Sequence, residues 1–226
     1  MKYTILFSLF IAFALKSYSQ SANSEPRQRL KGNVREDRSY SSLKGSPFLF
    51  NKFMKSEVYF NSSDEPVTYK LNYNAYKDQI EFLENGKVYS ITNKDKLEKV
   101  IIDKHTFVYK RFYNYDEINE GYFVEIINDY ISLYKRELKM VITSNNVAYK
   151  SSENSTGSFN KTSPLYYVSI YGDPLIYIKN KRKFLNLFFN NQSLVDFMEE
   201  ENIKLSSEKD LKKVITFLND FDKNRR

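Results

Sequence analysis

His105 is the only histidine and the chain has no cysteine, which sets narrow limits on its chemistry. An imidazole-activated nucleophile or a His-based metal centre would have to use His105. With no thiolate and no second imidazole, transition-metal sites of the usual N/S type are excluded. His105 precedes an alternating run, Thr106 to Phe112, and reads as a histidine at a turn or strand edge. Carboxylates are the remaining route, because glycoside hydrolysis needs two of them, one as acid and one as base or nucleophile. Asp78 with Glu81, and Glu117 with Glu120, are the candidate pairs. Glu81 lies between Ile80 and Phe82 and is expected to face water, while Glu117 and Glu120 are expected in a loop. Asn114 to Gly121 is the best oxygen cluster for calcium, but it lacks the spacing of an EF-hand loop. None of the six glycines forms a phosphate-cradling loop before a helix. No catalytic, cofactor-binding or metal-ligating residue is assigned, and no cofactor is expected.

Aromatic side chains are the other resource: 19 Tyr and 18 Phe, with no Trp. A tyrosine offers a flat apolar face and a hydroxyl, so exposed ones can stack on sugars or peptides. Tyr166, Tyr167 and Tyr171, and Tyr109 with Phe112 and Tyr113, are possible platforms. Alternation puts Tyr166 and Tyr167 on opposite strand faces, so one of them should leave the core if the sheet is a single layer. Cross-strand aromatic pairing is the plainer use of these residues.

The elements that would carry them follow from pattern. Lys2, the apolar run Ile5 to Leu15 and the small-residue exit Ser17-Tyr18-Ser19-Gln20 read as a secretory signal peptide over 1–20. The run is too short to span a bilayer, which takes about 20 apolar residues. Export and no transmembrane segment after signal cleavage are therefore expected, with the mature chain periplasmic or extracellular. Residues 21–46 are polar and aperiodic and read as a flexible arm, whose Arg27, Arg29, Lys31, Arg35 and Arg38 could touch an anionic surface. The net charge is +7, and its excess lies in the termini: +3 over 21–46, −1 over 47–178 and +3 over 179–226. That distribution, with acids interspersed, lacks the dense basic stripe of a nucleic-acid binder, so no nucleic-acid partner is expected.

Residues 47–180 read as a β-rich domain. Val67 to Tyr73 alternates cleanly, and Gln79 to Leu83 and Lys87 to Ile91 flank Asn85-Gly86, a strong signal for a type I′ hairpin. Further strands are expected at 99–102, 106–112, 121–127, 130–135 and 139–142, with a hairpin of 165–170 and 175–179 after the polar loop 151–163. Over 181–226 the period turns helical, giving three short amphipathic helices that must pack on the sheet. Ser193 and Ser207 head two apparent capping boxes, and the last helix should run from about 208 to 220. The fold class expected is α+β: an antiparallel β-meander, barrel-like or a curled sheet, with a C-terminal cluster of short helices.

Two stretches carry a resemblance. Leu71-Asn72-Tyr73-Asn74-Ala75-Tyr76-Lys77-Asp78 is similar to a Leu-x-Tyr-x-x-Tyr-x-Asp segment that joins two strands in a family of exported Gram-negative bacterial proteins of unassigned function. Ile176 to Leu185 resembles that family's ending, where a strand gives way to a Lys-rich helix start. The resemblance covers roughly 45–220 and implies fold and export, and no activity. The functional expectation is an exported, non-enzymatic envelope protein, an interaction or binding module for a protein or glycan partner. The alternative is a carboxylate-dependent hydrolase acting on envelope glycans; a structural periplasmic protein without a ligand is a third class.

Overall fold

A computed structural model describes residues 28–35, 40, 43–115, 117–142, 157–172 and 174–223. The expected signal segment lies outside them, as do half of the arm and the first part of the polar loop. Thirteen strands are present among the described residues: β1 (Gly32–Val34), β2 (Met54–Phe60), β3 (Ser63–Asn74), β4 (Gln79–Glu84), β5 (Lys87–Ile91), β6 (Leu97–Ile102), β7 (His105–Asn114), β8 (Glu117–Ile127), β9 (Ile131–Arg136), β10 (Lys139–Ile142), β11 (Ser158–Lys161), β12 (Leu165–Ile170) and β13 (Ile176–Tyr177). Three helices follow: α1 (Lys181–Leu187), α2 (Gln192–Glu200) and α3 (Glu208–Lys223). Eleven strands form one antiparallel sheet in the order β1-β5-β4-β3-β2-β6-β7-β8-β9-β12-β13, and β10-β11 is a separate ribbon. The α+β class, the meander and the C-terminal helices are as expected, and the sheet is curled without closing.

Asn85 and Gly86 both adopt positive φ, 50° and 73°, as the type I′ turn between β4 and β5 requires. The path from β5 to β6 explains the curl. These strands are consecutive in sequence but four places apart in the sheet. Residues 92–96 join them, and Lys94–Lys96 form a 3₁₀ turn. Such a connection reaches roughly 16 Å, whereas four spacings in a flat sheet span roughly 19 Å. The β2–β5 meander must therefore roll, and its concave face buries Val58, Phe60, Leu71, Tyr73, Ile80, Phe82 and Val100. The second half curls too. Tyr113 donates to the Leu175 carbonyl and the Leu175 N–H to the Arg111 carbonyl, both at 2.9 Å, so the segment leading into β13 touches β7. Val108, Phe112, Phe123, Tyr134, Tyr167 and Leu175 fill the space enclosed there.

Three features depart from the sequence reading. Residues 28–35 are not free arm: β1 pairs with β5, and Leu30 is buried. Gly32 permits this approach, because a Cβ there would stand 2.7 Å from the Phe82 ring and from the Ser90 carbonyl. Met54–Phe60 is a central strand that alternation did not flag, since only Val58 and Phe60 mark its inner face beside a buried Ser56. The cap of α2 is Asn191, whose side chain accepts from Leu194 N, and not Ser193.

The helices pack on the face of β9 and β12. Leu194, Met198, Leu211, Val214, Ile215 and Leu218 meet Ile131, Leu133, Tyr166 and Val168. Ser207 caps α3 through Asp210 N at 3.3 Å, as its sequence implied. Glu208 in the first turn of α3 bonds Lys135 of β9 at 3.1 Å and Lys212 at 3.1 Å. Burial works against the Glu208 carboxylate, but the bonds from Lys135 and Lys212 outweigh it and hold its pKa below the ordinary 4.5. A depressed folded-state value stabilises the fold above the unfolded value and loses that contribution as pH falls through the folded one. Acid titration of Glu208→Gln is thus expected to flatten the stability profile below about pH 4.5 relative to the unsubstituted chain. Identical slopes in urea unfolding across that range would contradict this.

Candidate functional site

The Leu-x-Tyr-x-x-Tyr-x-Asp stretch ends in a densely bonded cluster. Asp78 closes the β3–β4 turn at φ 52°, a left-handed conformation that Asp tolerates. Its carboxylate accepts from the Tyr73 hydroxyl at 2.6 Å, from Tyr122 N at 3.3 Å and from Arg136 Nη2 at 2.6 Å. Burial, with Asp78 alongside, pushes the Tyr73 hydroxyl well above its ordinary range. Burial opposes the charge on Arg136, and Asp78 more than offsets it, holding the guanidinium pKa above its usual value. That guanidinium lies over Phe112 at 4.6 Å and Phe123 at 5.4 Å from their ring centroids. Gly121 leaves the room, since a Cβ there would sit 2.5 Å from Asp78 Oδ2. The cluster ties the β3–β4 turn to β8 and β9, and every oxygen of its one carboxylate is engaged.

The other chemical candidates separate. Glu81 does not face water: it is fully buried, accepts from Asn74 Nδ2 at 2.7 Å and pairs with Arg35 at 2.9 Å. Arm residue Arg35, which packs over Phe48, covers the face that alternation had left to solvent. Glu117 and Glu120 belong to β8 and not to a loop, and three residues of extended strand put them on opposite faces. The proposed calcium run spans the ends of β7 and β8 for the same reason, with Asp116 outside the described residues. Among the described residues no group of three His, Cys, Asp or Glu could hold a metal ion. His105 begins β7, edge-on to Phe50 at 5.4 Å, and burial pulls its pKa below 6.5, assisted by Lys135. Of the arm cations, Arg29 and Arg35 are paired with Glu84 and Glu81, and Arg27 and Arg38 lie outside the described residues.

The aromatics separate differently. Tyr166 and Tyr167 are both buried, because helices cover one face of β12 and the curled strands the other. Tyr109 packs against Tyr122 at 5.0 Å, and Phe112 is buried. Tyr113 is exposed and borders a groove of about 630 Å³. The end of β7 and its turn contribute Tyr113, Asn114 and Tyr115. Strands β12 and β13 add Leu165, Tyr167, Ile176 and Tyr177, with Lys179 just beyond. Helix α1 closes the far side with Lys183, Asn186 and Leu187. Tyr167 is the link to the interior: its ring lies 5.4 Å from that of Tyr177 and 5.0 Å from that of Phe123. Burial lifts the Tyr167 hydroxyl above its ordinary pKa, and the neighbouring Arg136 acts against that.

No family model, curated protein or solved structure matches this chain. The groove must therefore be read from its own residues. Tyr115 is 93% exposed and adopts φ 55° in the β7–β8 turn. Eight described non-glycine residues have positive φ; five are Asp or Asn, and the other three are Tyr115, Tyr171 and Phe189, all exposed aromatics. A bulky residue in that conformation is an outlier, and it gains nothing here from burial. Tyr177, Tyr115 and Lys179 carry no periodic signal that singles them out in the sequence. The one available signal was an aromatic in a two-residue turn, where Asn or Gly is preferred.

Proposed function

We propose that this chain is an exported, non-enzymatic envelope protein, related to the exported family its motifs resemble, and that it binds a glycan in the groove between β7, β13 and α1. The observation that carries the reading is Tyr115. Its exposed ring sits at a strained position where Asn or Gly would serve the fold better, so what favours tyrosine there lies outside the folded chain. Tyr113 and Tyr177 flank it with 42% and 40% of their surface open, and the Asn114 and Asn186 amides offer hydrogen bonds beside them. Rings for stacking and amides for hydroxyls are what pyranose recognition requires. The hydrolase alternative finds less support, because Asp78 and Glu81 are committed to ion pairs and Glu117 and Glu120 point apart.

The reading makes an unusual prediction for Tyr115→Asn. Relief of the left-handed tyrosine, which costs about 1–2 kcal/mol, should raise the melting temperature by roughly 2–8 °C in a chain of this size. The same substitution should abolish retention on a glycan array that the purified protein otherwise scores. Unchanged array binding by Tyr115→Asn, or an array silent for the parent protein, would sink the proposal.

A further inference from the structure

The groove has a charge, and it lies on one side. Lys179 follows β13 and Lys183 stands in the first turn of α1, and both line the same cavity as Tyr113 and Tyr177. Neither forms an ion pair with a described residue. Lys181, between them in sequence, is already held by Glu199 at 3.3 Å. Arg182 is exposed beside them, and no described carboxylate lines the groove. Lys179 and Lys183 thus bring two cations without a carboxylate partner among the described residues beside open tyrosine rings.

From this juxtaposition we infer that the ligand of the groove is an acidic glycan, a pyranose oligosaccharide carrying a carboxylate on its sugar rings. The inference rests on the glycan reading given above and adds the charge of the sugar to it. Each part has its own task. Tyrosine faces take the apolar C–H side of a pyranose ring, which needs no charge. Asn114 and Asn186 supply a donor and an acceptor each for ring hydroxyls. Lys179 and Lys183 take the monoanionic groups as point charges on flexible stems, which tolerates variation in where along the chain the carboxylates fall. A carboxylate at each lysine converts two like charges that repel into two pairs that attract, and the gain is screened by salt.

The probe is a galacturonate hexasaccharide, compared with its fully methyl-esterified form, which keeps the rings and removes the charge. Calorimetric titration of the purified protein at low ionic strength is expected to show the acid bound about tenfold more tightly than the ester, the scale of two exposed charge pairs. The preference should shrink toward unity at molar salt. Lys179→Gln/Lys183→Gln should remove it, and Tyr113→Ala/Tyr177→Ala should weaken both forms. Far-UV dichroism of these surface variants matching the parent checks that they fold. Equal affinity for acid and ester overturns the acidic-ligand inference and leaves the groove reading standing. No binding of either form at millimolar concentration overturns both. Tighter binding of a single-stranded oligonucleotide than of the acid, lost with the same lysines, would also overturn it by naming a different anion.

Discussion

Asp78→Ala is expected to lower the unfolding free energy by about 3–5 kcal/mol, the cost of leaving one partner of a buried ion pair alone. The Arg136 guanidinium would keep its charge, with its side chain only 14% exposed and two phenyl rings beneath it. The Tyr73 hydroxyl and Tyr122 N would lose their acceptor at the same time. Domains of this kind are stable by about 5–15 kcal/mol in total, so a large share of the fold's margin hangs on one turn residue. Urea unfolding followed by tyrosine fluorescence measures it. The loss should come from the stranded charge, which a cycle with Arg136→Met tests: the double variant should be more stable than Asp78→Ala alone. Tyr73→Phe removes one hydrogen bond and should cost about 1 kcal/mol. An Asp78→Ala midpoint close to that of the parent would show that the cluster does not hold the halves together.

Asn219→Ala is expected to cost about 2–6 kcal/mol, because each of the two buried backbone groups left unpaired costs about 1–3. Asn219 in α3 is buried and treats the backbone of β9 as a neighbouring strand would: its Oδ1 accepts from Ile131 N at 2.8 Å and its Nδ2 donates to Ile131 O at 2.9 Å. The substitution orphans both groups of Ile131 at once. Asn219→Asp retains size and the acceptor but turns the donor into an oxygen facing a carbonyl, so it should be at least as damaging. Amide exchange at Ile131 should accelerate in both variants before global unfolding. Protection there at the parent level would show that α3 is docked by its apolar stripe alone.

How much was legible depends on which faces a strand presents. The Asn85-Gly86 hairpin and the apolar stripe of α3 read directly, one as a turn of fixed chemistry and the other with one buried and one open face, and β7 to β9 read from their runs of β-branched and aromatic residues. Glu81, Tyr166 and Tyr167 did not read correctly, for one reason. Alternation assumes a half-buried strand, and β4 and β12 are covered on both sides, one by Arg35 and the residues around it, the other by helices. β1 escaped because three residues with a glycine carry no period, and β2 because Ser56 interrupts its inner face. The candidate site was half visible. Tyr113 stood out among aromatics, whereas Tyr177, Lys179 and Lys183 are brought to it only by β13 returning to β7 and by the start of α1.

The reversal between β5 and β6 also imposes an order in time. A chain that emerges N-terminus first completes the β2–β5 meander before Leu97 exists to pair with Phe60. Until then β2, a central strand in the finished sheet, is an edge with unpaired amides, the situation that invites pairing with another chain. Lys55 and Glu57 alternate along its outer face, one cation and one anion that discourage a second copy from adding there. Closing that edge needs a contact between segments about 40 residues apart, a slow step by loop-closure entropy. The nascent half-sheet therefore has a lifetime of its own, and the vulnerability of this protein to misassembly is concentrated in that interval.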